Sequence, residues 1–277
     1  MDMQQVAARG LVLLGCGKMG SAMLAGWLAD GFPAASVHVI DPNPSDWLRA
    51  TGVGIGGDLP ADPAIVIVAV KPQMMGAALP TLATMGGDGG GDAGGTLFIS
   101  VAAGTPLAHF ETVLGAGTPV VRAMPNTPAA VGRGITAIIG NDHATPAHLD
   151  LSETFLSAVG QVVRLEHESQ MDAVTGLSGS GPAYVFHLIE AMAAAGHAAG
   201  LPETLAMRLA RATVAGAGAL VDASDDSAEQ LRINVTSPNG TTQAGLEVLM
   251  HPDTGLPPLM RATVAAATAR SEALRDG

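Results

Sequence analysis

Along the first half of the chain, short apolar runs alternate with longer segments of helical periodicity. The runs are Leu11–Leu14, Val37–Ile40, Ile65–Val70, Leu97–Ala102, Val120–Ala123 and Ile135–Ile139, most of them rich in β-branched residues. Their apolar character is continuous rather than alternating, which marks strands buried on both faces. The pattern predicts a mostly parallel sheet covered by helices on each side. The glycine-rich stretch from Gly86 to Gly95 reads as a flexible surface loop, because a strand pattern resumes directly after it.

After about Leu165 the strand pattern stops. Pro182–Ala199, Pro202–Ala223, Ser227–Thr236, Thr241–Met250 and Pro257–Leu274 read as helices, with Pro182 and Pro202 at first-turn positions and Gly200 suited to a helix end. Pro182–Ala199 is apolar on nearly every face, with Tyr184, His187 and Glu190 the main exceptions. Such a helix is expected to be buried, in a core or in a subunit interface.

The junction after the first strand carries the clearest chemistry. Gly15-Cys16-Gly17-Lys18-Met19-Gly20 follows a strand and precedes a helix predicted from Ser21 to about Asp30. Glycines at this spacing permit a tight turn and let backbone approach a pyrophosphate, which a helix N-terminus stabilises. The expected architecture is therefore an N-terminal α/β Rossmann-type dinucleotide-binding domain over residues 1–165 and an all-α domain over 166–277. Asp41 ends the next strand. It is placed either to accept hydrogen bonds from both ribose hydroxyls of NAD, where it would repel the extra phosphate of NADP, or simply to start the turn Asp41-Pro42-Asn43-Pro44. Lys71 and Ala103 follow strands at the same sheet edge. Lys71 would contact the cofactor or be a solvated strand-end lysine, and Ala103 would leave room for a nicotinamide ring.

Two further junctions of small residues lie in the second half. Asp172 to Tyr184 contains Ser178-Gly179-Ser180-Gly181, and Val235 to Thr242 contains Ser237-Pro238-Asn239-Gly240-Thr241-Thr242. Small residues running into a helix admit a ligand close to the backbone and offer unpaired N–H groups to a carboxylate or phosphate. One threonine of Thr241-Thr242 would cap its helix in the plain structural reading; the pair, with the upstream glycine, favours a small-anion pocket.

Composition narrows the class. Charged residues make up only 14% against 48% hydrophobic, so general disorder is excluded and a partly covered surface is expected, by oligomerisation or as the trace of an alanine- and glycine-rich composition. The net charge of −12 speaks against phosphate-backbone binding, so no nucleic-acid partner is expected. Cys16 has no second cysteine to pair with. Met1-Asp2-Met3-Gln4-Gln5 has neither the basic nor the apolar block of a signal peptide, and the longest apolar run is too short to cross a bilayer; a cytoplasmic, membrane-free protein is expected. His109, His187, His197 and His251 lack metal spacing, so no metal site is expected.

Taken together, the glycine loop at Gly15, Ala69-Val70-Lys71-Pro72, Met124-Pro125-Asn126-Thr127-Pro128, Asp172 to Tyr184 and Asn234 to Gly245 resemble pyrroline-5-carboxylate reductases. The resemblance spans nearly the whole chain. It implies reduction of the cyclic imine Δ1-pyrroline-5-carboxylate to L-proline by NADPH or NADH, and a homodimer through the helical domain, extending in some relatives to a ring of dimers. It further implies that Gly15, Cys16, Gly17, Lys18, Met19, Gly20, Val70, Lys71 and Ala103 contact the dinucleotide and that Asn234 reaches it from the helical domain of the other subunit. Gly240, Thr241 and Thr242 would hold the substrate carboxylate, with the Thr242 hydroxyl on the ring nitrogen as the catalytic contact. Two positions depart from the family pattern: Asn239 replaces a usual glycine, and Asp41 replaces a neutral or basic residue. A hydroxyacid dehydrogenase of related build would carry a lysine in the first long helix of its helical domain, and Pro182–Ala199 has none. A regulatory dinucleotide sensor without chemistry would not need Thr241-Thr242.

Overall fold

The computed structural model describes residues 3–86 and 95–275. Of the expected loop from Gly86 to Gly95, residues 87–94 lie outside the described residues. The strands are β1 (Leu11–Leu14), β2 (Val37–Ile40), β3 (Gly54–Ile55), β4 (Ile65–Val68), β5 (Leu97–Ser100), β6 (Val120–Met124), β7 (Gly134–Gly140) and β8 (Gly160–Arg164). The helices among them are α1 (Met3–Arg9), α2 (Lys18–Ala29), α3 (Asp46–Ala50), α4 (Met75–Ala78), α5 (Leu107–Leu114), α6 (Pro146–Ser157) and α7 (Met171–Val174). The last five helices are α8 (Gly181–Ala198), α9 (Glu203–Asp222), α10 (Ala228–Asn234), α11 (Thr241–Leu249) and α12 (Leu256–Arg275).

The strands form one sheet in the order β3-β2-β1-β4-β5-β6-β7-β8. Every neighbouring pair is parallel except the antiparallel β6 and β7. The chain builds outward from β1 to β3, then crosses to the other side of β1 to start β4. This reversal opens a crevice beyond the carboxyl ends of β1 and β4, where open α/β sheets bind ligands.

Alternate strand residues supply two cores. Leu11, Leu13, Ile65, Ile67, Leu97 and Ile99 are buried in a cluster with Met23, Leu24, Trp27 and Phe155, while Val12, Leu14, Val66, Val68 and Phe98 join one with Leu79, Phe110 and Leu114. On the first face Trp27 donates its indole N–H to the Phe155 carbonyl at 2.8 Å. The rings of Trp27 and Phe32 meet that of Phe155 edge-on, at centroid distances of 5.8 and 5.4 Å, an arrangement that adds to plain burial. The second tryptophan, Trp47 on α3, is solvent-exposed.

Several elements differ from the sequence reading. β4 and β5 stop at Val68 and Ser100, so residues 69–70 and 101–102 leave the sheet as loops. α2 starts at Lys18, three residues early, which puts Gly20 inside the helix. β3 and β8 escaped detection: β3 is two residues long, and β8 is an edge strand with Val162 and Val163 set among polar residues.

The chain divides into two compact units, Met1–Gly179 with Ala267–Gly277, and Ser180–Ala266. In the second unit α8 packs on α9 through small residues. Ala193, Ala206 and Ala210 are buried there, and a methyl group added at Gly196 would lie 3.3 Å from the Ala206 Cβ. The rest of α8 is not covered. Phe186 is 60% exposed, and Val185, Leu188 and Met192 are also open to solvent. Burial of this helix in a core of its own chain, one of the two expectations for it, is therefore not met.

Candidate active site

The glycine loop is shaped by three different requirements. Gly15 adopts φ +90°, and a methyl group there would lie 2.9 Å from the Ala69 carbonyl oxygen and 3.1 Å from a Val70 methyl. It thus combines a left-handed turn with contact against the chain leaving β4, at the crevice itself. A side chain at Gly20 would run into the Gly15 carbonyl, so this glycine seats the first turn of α2 on the loop. Gly17 differs from both. Its φ of −72° suits any residue, and an added methyl group would meet nothing within 4 Å. The protein's own packing makes no demand for glycine there; an open approach to the backbone does.

Gly17 is the N-cap of α2, and no side chain caps the helix from that position. The N–H groups of Gly17, Lys18, Met19 and Gly20 have no acceptor within the helix, and Lys18 adds positive charge. The Cys16 N–H is already used: it donates to Asp41 Oδ2 at 2.7 Å. Asp41 Oδ1 accepts the Asn43 N–H at 2.8 Å. Asp41 therefore does start its turn, as the plain reading expected, and also fastens the glycine loop to the end of β2. Each oxygen keeps a second lone-pair site for a further donor. The half-buried Cys16 thiol is pushed up to about 11, first by burial and then by the Asp41 charge.

Val70 is half-buried and Lys71 exposed just past β4, while Ala103 is half-buried past β5. These positions lie along the carboxyl edge of one sheet. The rigid turn after β6 holds neighbouring segments together. Its Asn126 Oδ1 accepts the Ile135 N–H at 3.0 Å, and the Asn126 amide donates to the Ser178 carbonyl at 3.2 Å. Ser178 lies in a π-helical turn, Thr175–Gly179. A methyl group at Gly179 would come within 2.7 Å of the Met124 Cε, the mobile end of a flexible side chain that could move aside, so packing alone does not dictate glycine at this point of the run after Asp172. Asp172 itself is buried. It accepts Ser271 Oγ at 2.7 Å and pairs with Arg275, both near the end of α12. Nothing local in the sequence marks this contact.

In the second unit, Asn239 has φ +58°, the one non-glycine in the left-handed region among the described residues. The position that departs from the family's glycine therefore does require a left-handed backbone, which asparagine tolerates best after glycine. Its N–H donates to the Gln243 side chain at 2.7 Å. Gly240, with ordinary φ, is the N-cap of α11, and its N–H donates to the Ser237 carbonyl at 3.0 Å. Thr241 and Thr242 are thus the first helical residues and do not occupy the cap position. Both are exposed, and their N–H groups have no intrahelical acceptor. Asn234 closes α10, with its side chain held between Gln230 and Asp226. Among the described residues no group of His, Cys, Asp and Glu is arranged to hold a metal ion.

Comparison with known proteins gives a consistent result. The family described as pyrroline-5-carboxylate reductase dimerisation matches residues 168–274, and one described as NADP oxidoreductase, coenzyme F420-dependent, matches residues 10–104. The pyrroline-5-carboxylate reductase of Pseudomonas aeruginosa is 36% identical over 272 residues, covering 96% of this chain and 97% of that protein. The solved pyrroline-5-carboxylate reductase of Coxiella burnetii is 31% identical with a TM-score of 0.87, covering 96% and 98% of the two chains. The pyrroline carboxylate reductase of Plasmodium falciparum, solved with NADP bound, is 27% identical with a TM-score of 0.77 and covers 96% and 98%. Similarity of this extent, carried through both units, identifies the chain as a member of the pyrroline-5-carboxylate reductase family.

Proposed function

We propose that this protein reduces the C=N bond of Δ1-pyrroline-5-carboxylate to give L-proline, the last step of proline synthesis, using a reduced nicotinamide dinucleotide. The observation that carries the reading is a pair of bare helix N-termini in a chain of this family. One, at α2, opens through Gly17, where an added methyl group would meet nothing; the other, at α11, follows Gly240, whose lack of a side chain makes room for Ser237 of its own turn. When bound, the cofactor supplies a hydride to the imine carbon, and the ring nitrogen ends protonated at the expense of water.

The chain's own part is binding and orientation, which account for much of the barrier reduction when the acceptor is already electrophilic. The N–H groups from Gly17 to Gly20 hold the pyrophosphate, and Gly15 and Cys16 shape the turn beneath it. Val70, Lys71, Ala103 and Asn234 contact the rest of the dinucleotide. Asp41 accepts from the ribose hydroxyls, and its charge disfavours a 2′-phosphate, so NADH is accepted alongside NADPH or preferred to it. The Thr241 and Thr242 N–H groups hold the substrate carboxylate, Gly240 allows the close approach, and the Thr242 hydroxyl orients the ring nitrogen.

The protein acts as a homodimer through its helical unit, whose exposed apolar side chains supply a surface to cover. The family resemblance adds the expectation of rings of dimers, which sedimentation velocity would size. No helix among the described residues is long and apolar enough to cross a membrane, in keeping with the proposed cytoplasmic location. The deciding experiment is initial-rate oxidation of NADH and of NADPH with pyrroline-5-carboxylate. Turnover with a kcat/KM ratio favouring NADH supports both the reaction and the role of Asp41. Turnover favouring NADPH removes the Asp41 argument, and cofactor binding without turnover would point to a sensor.

A further inference from the structure

Arg122 is a cation inside the sheet. It lies on β6 opposite Ser100 of β5 and Ile139 of β7, and its side chain is 3% exposed. A buried arginine is rare unless paired. Its partner is Glu168, whose Oε1 accepts from Arg122 Nη1 at 2.7 Å. The same oxygen accepts the Leu107 N–H at 2.9 Å.

Leu107 is the first residue of α5, and the residue at the cap position is Pro106, which supplies no side-chain cap. Glu168, 61 residues further along the chain, caps the helix from outside instead. The Ala102–Pro106 crossing is thus pinned at both ends, by the sheet at Ser100 and by Glu168 at Leu107. Gly104 in this crossing has φ +75°, and a methyl-sized space separates it from Leu274, whose carbonyl would lie 3.7 Å from a methyl group added there. The end of α12 bearing Leu274 is held in turn by Asp172, through Ser271 and Arg275.

We propose that Glu168 is a positioning residue for the reaction. By capping α5 and neutralising Arg122 it sets the course of the crossing that bears Ala103. In this sheet order β2 and Asp41 lie on the adenosine half of the crevice, and β4 and β5 on the half left for the nicotinamide. The crossing after β5 therefore forms the wall against which the reacting ring is placed. The proposal rests on the reading that the crevice binds a nicotinamide dinucleotide.

The test compares Glu168→Ala, Glu168→Gln and Glu168→Asp with Phe110→Leu, a packing change in the buried side of α5 that leaves both hydrogen bonds in place. Steady-state rates are read with the reduced cofactor and with the same cofactor deuterated at the transferred position. A misplacement of about 1 Å costs up to roughly a hundredfold in rate. Glu168→Ala is expected to lower kcat by about ten- to a hundredfold and to raise the deuterium isotope effect, as hydride transfer becomes rate-limiting. Its KM for the cofactor should move less than about threefold. Glu168→Gln, which keeps an oxygen for the Leu107 N–H but leaves the buried Arg122 without its counter-charge, should recover only part of kcat. Should the alanine variant fail to fold, Glu168→Asp carries the test: it keeps the charge and loses one methylene of reach, and should show the same isotope effect in weaker form. Wild-type kcat and isotope effect in the Ala or Asp variant would overturn the proposal, as would the same kinetic change in Phe110→Leu. The rates are taken with whichever of NADH and NADPH the wild type uses better, and failure of the functional reading shows separately, as absence of oxidation of either by the wild type.

Discussion

The sheet unit and the helical unit treat similar side chains in opposite ways. In the first, Leu11, Ile65, Ile67, Phe98 and Phe155 are fully buried between strands and covering helices. In the second, Phe186, Leu209, Leu220 and Val248 stand in solvent while alanines fill the one tight seam, between α8 and α9. The first unit completes its own core. The second has apolar surface left over, and burying it at about 25 cal/mol per Å² would favour association with another copy. Apolar content alone therefore does not say where a residue is buried, or in which chain.

The contrast can be broken most forcefully at Phe155, which closes the aromatic cluster of the first unit. Phe155→Ala should cost about 3–5 kcal/mol, read as a shift in the denaturant midpoint that is independent of protein concentration. In the helical unit, Phe186→Asp should instead yield monomers by light scattering and a melting temperature that no longer depends on concentration. An unchanged oligomer would remove α8 from the interface. Next in size, Thr242→Ala should lower turnover by about a hundredfold, the scale of losing an orienting contact at the reacting centre, while calorimetry shows unchanged NADH binding. Equal loss of both would place Thr242 outside the reacting centre.

Smaller effects sharpen the picture. With its thiol held near 11, Cys16 is almost wholly protonated at pH 8, so iodoacetamide should modify it slowly there. The rate should rise steeply as the pH passes 10. Asp41→Asn should bring the rise to lower pH without abolishing the shift, because burial is the larger cause. A rate that has already levelled off by about pH 10, as for a thiol near its ordinary 9, would mean the thiol is not in this environment. Finally, Asn239→Gly should be neutral or stabilising by a few tenths of a kcal/mol, and Asn239→Ala destabilising by about 1 kcal/mol, since φ is +58°. Chemical denaturation distinguishes the two.

Much of the sheet is legible in the sequence because burial on both faces forces continuous apolar runs, as in Leu11–Leu14 and Ile65–Val68. β8 is not, because an edge strand needs no such run. α8 shows a different limit: periodicity reports that a helix is apolar and is silent about which chain covers it. Asp41 had two readings that are compatible, since a carboxylate oxygen has more than one acceptor site and can hold a turn while facing a ligand. The left-handed backbone at Asn239 is legible as a replaced glycine. Glu168 and Asp172 were out of reach, since Glu168 serves Arg122 and Leu107, and Asp172 serves Ser271 and Arg275, at chain separations of 46 to 103 residues. Local pattern carries no signal at that range.

The two tryptophans have an optical consequence. Trp27, sealed from water with its indole N–H bonded to Phe155, should emit in the blue and resist iodide; Trp47, exposed on α3, should emit in the red and be quenched. Both belong to the first unit, and Ser180–Ala266 contains none. Tryptophan emission therefore follows the melting of one half of the molecule, and loss of the helical half would pass unseen unless circular dichroism were recorded beside it.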